Sequence, residues 1–352
     1  FLKNFITLGT SYETSSGNVA QQDFVYVEVE AGQGFYTWID YNDNGIQEFD
    51  EFEVAEFQDQ ANFLRVPLPN LQFIATQSAK INQSITLNAN QWSNKTGLKK
   101  VLSHFYNQFF LSSRNELERA RNSFNLNPFN MNKDKQISVN FTIKNSLYFN
   151  RGLQNFSATY TYAKAENKQQ YSIGSQDTDT NYQQIDFQHK VGKFWLIDLQ
   201  GKLSENKLET ENFNNRNYEI DVIAFQPKIS YVLNNDNRFA AFYHMKNKEN
   251  TLAEFEKLKQ QKIGIEYFYT GKSTSQFNAN FTTFFNDFSG NPNSPVGYQM
   301  LEGLQEGTNY TWTFLWNKKL NSFLNVNLNY KGRKSLNSKT IHTGTVNLKA
   351  VF

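Results

Sequence analysis

Twelve consecutive residues, Asp40-Tyr41-Asn42-Asp43-Asn44-Gly45-Ile46-Gln47-Glu48-Phe49-Asp50-Glu51, match the calcium-loop pattern D-x-[DN]-x-[DN]-G-x5-E at every constrained position. Calcium takes about six to eight hard oxygen ligands, and this spacing supplies them. Asp40, Asn42 and Asn44 offer side-chain oxygens, Ile46 a backbone carbonyl, Glu48 an oxygen used directly or through water, and Glu51 a bidentate carboxylate. Gly45 permits the sharp turn. Asn, Asp and Gly also fill ordinary exposed turns, so the competing reading is a solvated loop. The entering segment Phe35-Tyr36-Thr37-Trp38-Ile39 reads as extended, and no second loop of this kind follows. Calcium would therefore act as a lone structural clip.

The remaining chemistry-bearing residues are dispersed. His104, His189, His244 and His342 stand singly on separate candidate strands, none spaced to activate a nearby serine. Asp50/Glu51 and Glu254/Glu256 lie in candidate loops and, apart from the metal role of Glu51, read as solvated. The absence of cysteine removes thiol nucleophiles, Cys-ligated zinc, Cys-bound iron-sulfur clusters and disulfides. The expectation is a non-enzymatic chain.

What positions these residues is set by composition and periodicity. The 352 residues include 33 Phe, 18 Tyr and 5 Trp, yet mean hydropathy is −0.65, so large rings must alternate with small polar residues. Lys+Arg 35 against Asp+Glu 33 leaves a net charge of +2, too little to neutralise many phosphates, which argues against nucleic acid as a partner. No run reaches the 18 or so apolar residues of a membrane helix, but a transmembrane strand needs only about 9 to 11 alternating ones. The clearest register is the last: His342, Gly344, Val346, Leu348, Ala350 and Phe352 share one face, and Thr343, Thr345, Asn347 and Lys349 the other. Similar alternation marks segments at 324–331, 310–317, 277–285, 263–269, 239–245, 223–231, 195–203, 185–191, 156–162, 137–143, 101–111 and 81–89. These are thirteen candidate strands, and one N-terminal strand would make the even number that single-chain bacterial barrels favour.

The connections alternate in length. Short turns are read at Ser93–Lys99, Asn150–Gln154, Gly192, Asn234–Asn237, Gly271–Thr274 and Asn317–Asn321, and longer polar ones at 113–135, 165–180, 205–216, 247–260, 287–308 and 332–339. Outer-membrane barrels have this parity, with tight periplasmic turns and longer outer loops. A soluble antiparallel sandwich would also alternate, but its outward face would be mixed-charge, whereas here it is Asn, Thr, Ser, Gln and Lys with few carboxylates. The fold expected is all-β, an antiparallel up-and-down transmembrane β-barrel of about 14 strands with an irregular N-terminal segment. Residues 1–75 would form the N-terminal β segment, with strands at Phe5–Tyr12 and Phe24–Val29, and residues 76–352 the barrel. The terminal Phe352 resembles the aromatic end of bacterial outer-membrane proteins. The lack of a Met start or apolar leader at Phe1 reads as a mature product or a fragment.

The stretch Trp38 to Glu53, followed by Ala55, Phe57, Asp59-Gln60-Ala61 and Arg65-Val66, resembles a segment of large uncharacterised cell-envelope proteins of flavobacteria and other Bacteroidota. The resemblance implies an outer-membrane location and a longer parent chain, and no activity. The function expected is a pore or passage across the outer membrane, with outer-membrane lipid as the surroundings. The alternative is a plugged barrel serving a larger envelope complex for protein export or surface assembly, with other envelope proteins as partners.

Overall fold

The computed structural model describes residues 5–119, 127–129, 135–152, 155–234, 236–271, 275–321, 323–336 and 338–350. They form one antiparallel sheet of sixteen strands, two of them three residues long. In chain order these are β1 (Ile6–Glu28), β2 (Tyr36–Trp38), β3 (Phe52–Val54), β4 (Phe63–Asn88), β5 (Phe105–Glu118), β6 (Gln136–Phe149), β7 (Phe156–Tyr171) and β8 (Gly174–Val191). There follow β9 (Trp195–Thr210), β10 (Tyr218–Val232), β11 (Asn237–Asn250), β12 (Lys257–Gly271), β13 (Ser275–Ser289), β14 (Gly307–Lys319), β15 (Leu324–Ser335) and β16 (Ile341–Ala350). Two short helices, α1 (Leu98–Leu102) and α2 (Pro295–Leu301), lie in connections. Leaving out β2 and β3, fourteen long strands follow one another in an up-and-down meander from β1 and β4 to β16. This is the transmembrane β-barrel class of fold that the alternation predicts.

Register places the alternating faces as the sequence requires, because residues directly opposite one another share a face. Tyr231 lies opposite Trp195 and Phe239, Phe239 opposite Tyr267, and Ile265 opposite Phe281. Phe281 then lies opposite Trp312, Trp316 opposite Leu328, and Leu328 opposite Val346. These residues make a continuous apolar band around the outside. Ile265 is 61% exposed and Leu348 68%, which rules out a second sheet packed over that band as in a soluble sandwich. Along β9 the apolar face runs from Trp195 to Leu203 before giving way to Glu205, Lys207 and Glu209, a span suited to crossing hydrocarbon. Rings crowd its lower edge: Phe105 with Phe149, Phe149 with Phe156, Trp195 with Tyr231, and Tyr267 with Phe277. Interfacial aromatic girdles have this character.

Three expectations need correction. The two separate strands Phe5–Tyr12 and Phe24–Val29 are one strand, β1, whose polar middle pairs with an equally polar stretch of β4, Glu13 opposite Lys80 and Ser16 opposite Gln77. The long loop expected at 165–180 is instead a tight turn at Ser172 and Ile173, with β7 and β8 in strand up to it. Its polar residues stay in the ladder because they pair across it: Lys164 lies 3.4 Å from Asp179, and Lys168 3.8 Å from Asp177. Conversely, the short turn at Ser93–Lys99 belongs to a longer connection, 89–104, that contains α1. The connections still sort to two ends, and 29–62 lies at the same end as 211–217, 251–256 and 290–306. Phe352, the expected terminal aromatic, lies outside the described residues, as does part of the connection 113–135. β4 runs uninterrupted through residue 75, so the β1–β4 hairpin is part of the sheet.

Candidate functional site

The irregular segment 29–62 crosses the mouth formed by that end of the sheet. It is carried there by the β1–β4 hairpin, because β4 pairs with β5 only over Thr76–Asn88, while its earlier half pairs with β1 and, at Phe63, with Tyr36 of β2. The hairpin changes register between Gln22 and Phe24, opposite the stretch Pro67-Leu68-Pro69-Asn70. Proline has no N–H to give a ladder, so these prolines belong in such a bulge, where the ribbon can bend. Beyond it the hairpin packs its own small aromatic core. The Tyr26 ring stacks on Phe52 at 3.9 Å, Phe24 meets Phe49 edge-on at 5.6 Å, and Phe52 meets Phe63 at 5.1 Å. Gly34 is needed for this closeness: a Cβ there would sit 2.6 Å from the Phe63 backbone.

The calcium-type loop hangs from this core. Asp40 accepts from the Asn44 and Gly45 amides at 3.1 and 2.8 Å, Asn42 Oδ1 from Asn44 N at 3.0 Å, and Asn44 Oδ1 from Ile46 N at 2.6 Å. Gly45 takes φ +72°, as the turn demands. Asn42 Nδ2 donates to Glu48 at 2.7 Å. Glu51 is buried, and its carboxylate accepts from Trp38 Nε1 at 2.8 Å and Tyr41 N at 3.2 Å. The oxygen-only donor set and the turn at Gly45 fit calcium. Among the described residues, however, Asp40, Glu48 and Glu51 do not converge as an acidic trio. Holding the ion requires Glu48 and Glu51 to turn toward Asp40.

From the loop onward, the segment is fastened to the far walls by residues that periodicity does not reveal. Asn215 donates to Asp50 at 2.7 Å; Arg216 donates to the Phe52 carbonyl at 3.1 Å and to Glu53 at 2.8 Å. The Glu56 amide donates to the Tyr298 hydroxyl at 3.1 Å, and Arg333 Nη2 to Asp59 at 2.5 Å, with its guanidinium 4.1 Å from the centre of the Phe57 ring. Arg65 lies over Tyr171 of β7 at 5.4 Å. One segment therefore touches the β9–β10 connection, the β13–β14 connection and β15, and the hairpin that carries it touches β7, so the sheet is rolled around it. Burial pushes the Glu53 carboxyl up to about 7, against the opposing pull of Arg216. The Tyr41 hydroxyl lies beside it and, like Arg216, favours its charged form.

A second layer lies beneath. The connection 290–306 folds onto the wall through Val296, Met300 and Leu301 of α2, packed with Ile220, Leu258 and Phe288. Glu302 fixes it, accepting from Lys246 at 2.7 Å and Lys248 at 2.9 Å, with Lys262 at 3.5 Å. Burial alone would raise the Glu302 carboxyl, but Lys248, Lys262 and Lys246 together hold it well below the usual carboxylate range. The histidines stay apart: His104 meets Asn150 at 2.6 Å, His189 the Asn155 carbonyl at 2.8 Å, His342 the Tyr330 hydroxyl at 2.8 Å, and His244 lies opposite Lys262.

No family model matches the chain, and no curated protein matches it. Among solved structures it is similar to OmpT of Vibrio cholerae, outer-membrane expressed, at 7% identity and a TM-score of 0.38, covering 94% of this chain and 88% of that one. It is also similar to CdiB from Acinetobacter baumannii at 9% identity and a TM-score of 0.42, covering 95% and 60% respectively. A mutant porin of Rh. blastica matches at 7% identity and a TM-score of 0.26, covering 99% and 100%.

Proposed function

We propose that this chain builds an outer-membrane β-barrel that provides a passage closed at one mouth by its own segment 29–62. The observation that carries this reading is the bridge of ion pairs from one side of the rolled sheet to the other, Arg216 to Glu53 and Arg333 to Asp59, made by residues only six apart in the segment. A surface loop would have no need of two half-buried guanidinium anchors from the β9–β10 connection and β15. Its outer band is apolar and its inner face carries Asn, Thr and Lys, which suits a lumen whose selectivity follows those side chains. Calcium held by Asp40, Asn42, Asn44, the Ile46 carbonyl, Glu48 and Glu51 would stiffen the closing segment, a structural role with no reaction attached. The same closure favours a second reading, in which the plugged barrel is a platform within a larger envelope complex. Planar-bilayer conductance separates them. The passage reading expects a quiet wild type and ion-conducting Arg216→Ala/Arg333→Ala protein. Silence in both, with insertion verified, would favour the platform, and steady conductance of the wild type would overturn closure.

A further inference from the structure

One connection at the short-turn end of the sheet is out of proportion to its neighbours. The others there run to between three and six residues, whereas 89–104 has sixteen. It is folded in place: Trp92 stacks on Phe5 at 4.8 Å, Lys100 Nζ donates to the Ser93 carbonyl at 2.6 Å, and the Asn150 amide donates to the His104 carbonyl at 2.9 Å. Between this connection and the turn that begins at Asn150 lies a cavity of about 430 Å³, lined among others by Asn88, Asn90, Lys100, His104, Asn150 and Arg151. Long ordered connections of this kind are where binding residues concentrate.

The charge around it is one-sided. The chain is nearly balanced, with 35 Lys and Arg against 33 Asp and Glu, yet the two stretches that line the cavity, 76–115 and 136–165, hold eight Lys and Arg and not one Asp or Glu. The Arg151 guanidinium lies over the rings of Tyr106 at 4.1 Å and Tyr148 at 5.1 Å, contacts that hold it in place and leave its charge unneutralised. The His104 ring is fixed by Asn150 Oδ1 at 2.6 Å. Cations set around a cavity without a carboxylate suit an anion, and Arg with Lys suits phosphate, while the side-chain amides of Asn88 and Asn90 suit hydroxyl groups. Phe105 also lines the cavity and belongs to the aromatic girdle, and the neighbours of Lys100 on α1, Leu98, Val101 and Leu102, are exposed. Girdle aromatics mark the level of lipid headgroups. We propose that this cavity binds a phosphate ester of a polyol, with Arg151 and Lys100 on the phosphate and the asparagines on the hydroxyls. The ester is either a soluble one or the headgroup of an anionic phospholipid, and the same contacts serve both. The site lies at the end away from segment 29–62 and is independent of closure there; only the lipid source rests on the membrane-spanning reading.

The full-length polypeptide, purified in detergent and stripped of lipid, tests this with two probes. sn-Glycerol 3-phosphate is titrated by calorimetry, and phosphatidylglycerol mixed with an equal amount of phosphatidylcholine is offered before native mass spectrometry. Lys100 and Arg151 are exposed, so Lys100→Gln/Arg151→Gln should leave the fold intact, which unchanged heat-modifiable migration verifies. The wild type is expected to bind at least one probe saturably, and each lost cation to weaken that binding by about tenfold. Asn90→Asp, which sets a carboxylate in the cavity, is an independent variant expected to act in the same direction. Binding of glycerol phosphate identifies a soluble ester as sufficient, and retention of phosphatidylglycerol alone identifies the lipid headgroup. Binding of neither probe, equal affinity in the double variant, or equal retention of phosphatidylcholine would overturn the inference. So would an acidic protein that leaves the complex when the two cations are replaced while neither probe binds.

Discussion

Removing the Arg216 guanidinium should loosen segment 29–62 by an amount that grows with pH. Glu53 is 6% exposed, and Arg216 is the cation that donates to its Oε2. Stranding a buried charge by deleting its partner ordinarily costs about 3 to 5 kcal/mol. That ceiling is not reached at pH 7, because burial has already raised the Glu53 carboxyl to about 7 and taking a proton there is nearly free. What remains is the loss of the Arg216 hydrogen bonds to Glu53 and the Phe52 carbonyl, worth together about 2 to 3 kcal/mol. Above pH 7 the carboxylate left without its cation must be protonated against the solution, adding up to about 1.4 kcal/mol per pH unit. Hydrogen exchange of amides 51–54 in lipid, corrected for intrinsic rates, measures the local opening free energy. Arg216→Ala should lower it modestly at pH 7 and steeply at pH 9, and in a Glu53→Gln background the pH dependence should vanish. Unchanged exchange, or a deficit indifferent to pH, would refute the reasoning.

Other outcomes follow from the same geometry. In the wild type, Glu53 binds its proton more tightly docked than undocked, so docking is firmest below about pH 4.5 and weakens by about 3 kcal/mol as pH rises to 7; slower proteolysis of the segment at pH 5 than at pH 8 checks this. Leu328→Arg, on the outer face opposite Trp316 and Val346, should destabilise the fold by about 2 to 4 kcal/mol in lipid-based unfolding if it sits at the bilayer midplane, and Asn327→Arg on the inner face should not. Calorimetry should find calcium binding tighter than millimolar that is lost in Asp40→Ala/Glu51→Ala; heat indistinguishable from dilution would remove the metal from the account. Gly332→Val should displace the Trp312 indole that covers Gly332 and cost about 1 to 3 kcal/mol, read as a lower unfolding midpoint with altered tryptophan emission.

Strand number and faces were legible because period-2 alternation is a local property, dense in Phe, Tyr and Ile on one side and Asn and Thr on the other. Alternation fades where strands leave the apolar band. Next to the turn at 172–173, β7 and β8 are polar on both faces, and cross-strand charges, Lys164 with Asp179 and Lys168 with Asp177, accompany the ladder there. The middle of β1 was opaque for the same reason. The calcium-type motif was visible as a pattern, yet the sequence pointed to no partner for it and not to the burial of Glu51. Glu53, Asp59, Arg216 and Arg333 carried no signal, since each pairs with a residue more than a hundred positions away and neither partner shows unusual local spacing. The resemblance stretch did include Glu53, Asp59 and Arg65, without saying what they hold.

The claim on which the rest depends is that the alternating faces of these strands divide lipid from lumen. A spin-label scan of residues 324–331 in lipid vesicles tests it directly, through the collision rates of each label with apolar oxygen and with a water-soluble nickel complex. Labels replacing Leu324, Val326, Leu328 and Tyr330 should favour oxygen, and those replacing Asn325, Asn327, Asn329 and Lys331 should not, in strict alternation. A flat profile, or oxygen preference on the Asn face, would contradict the account.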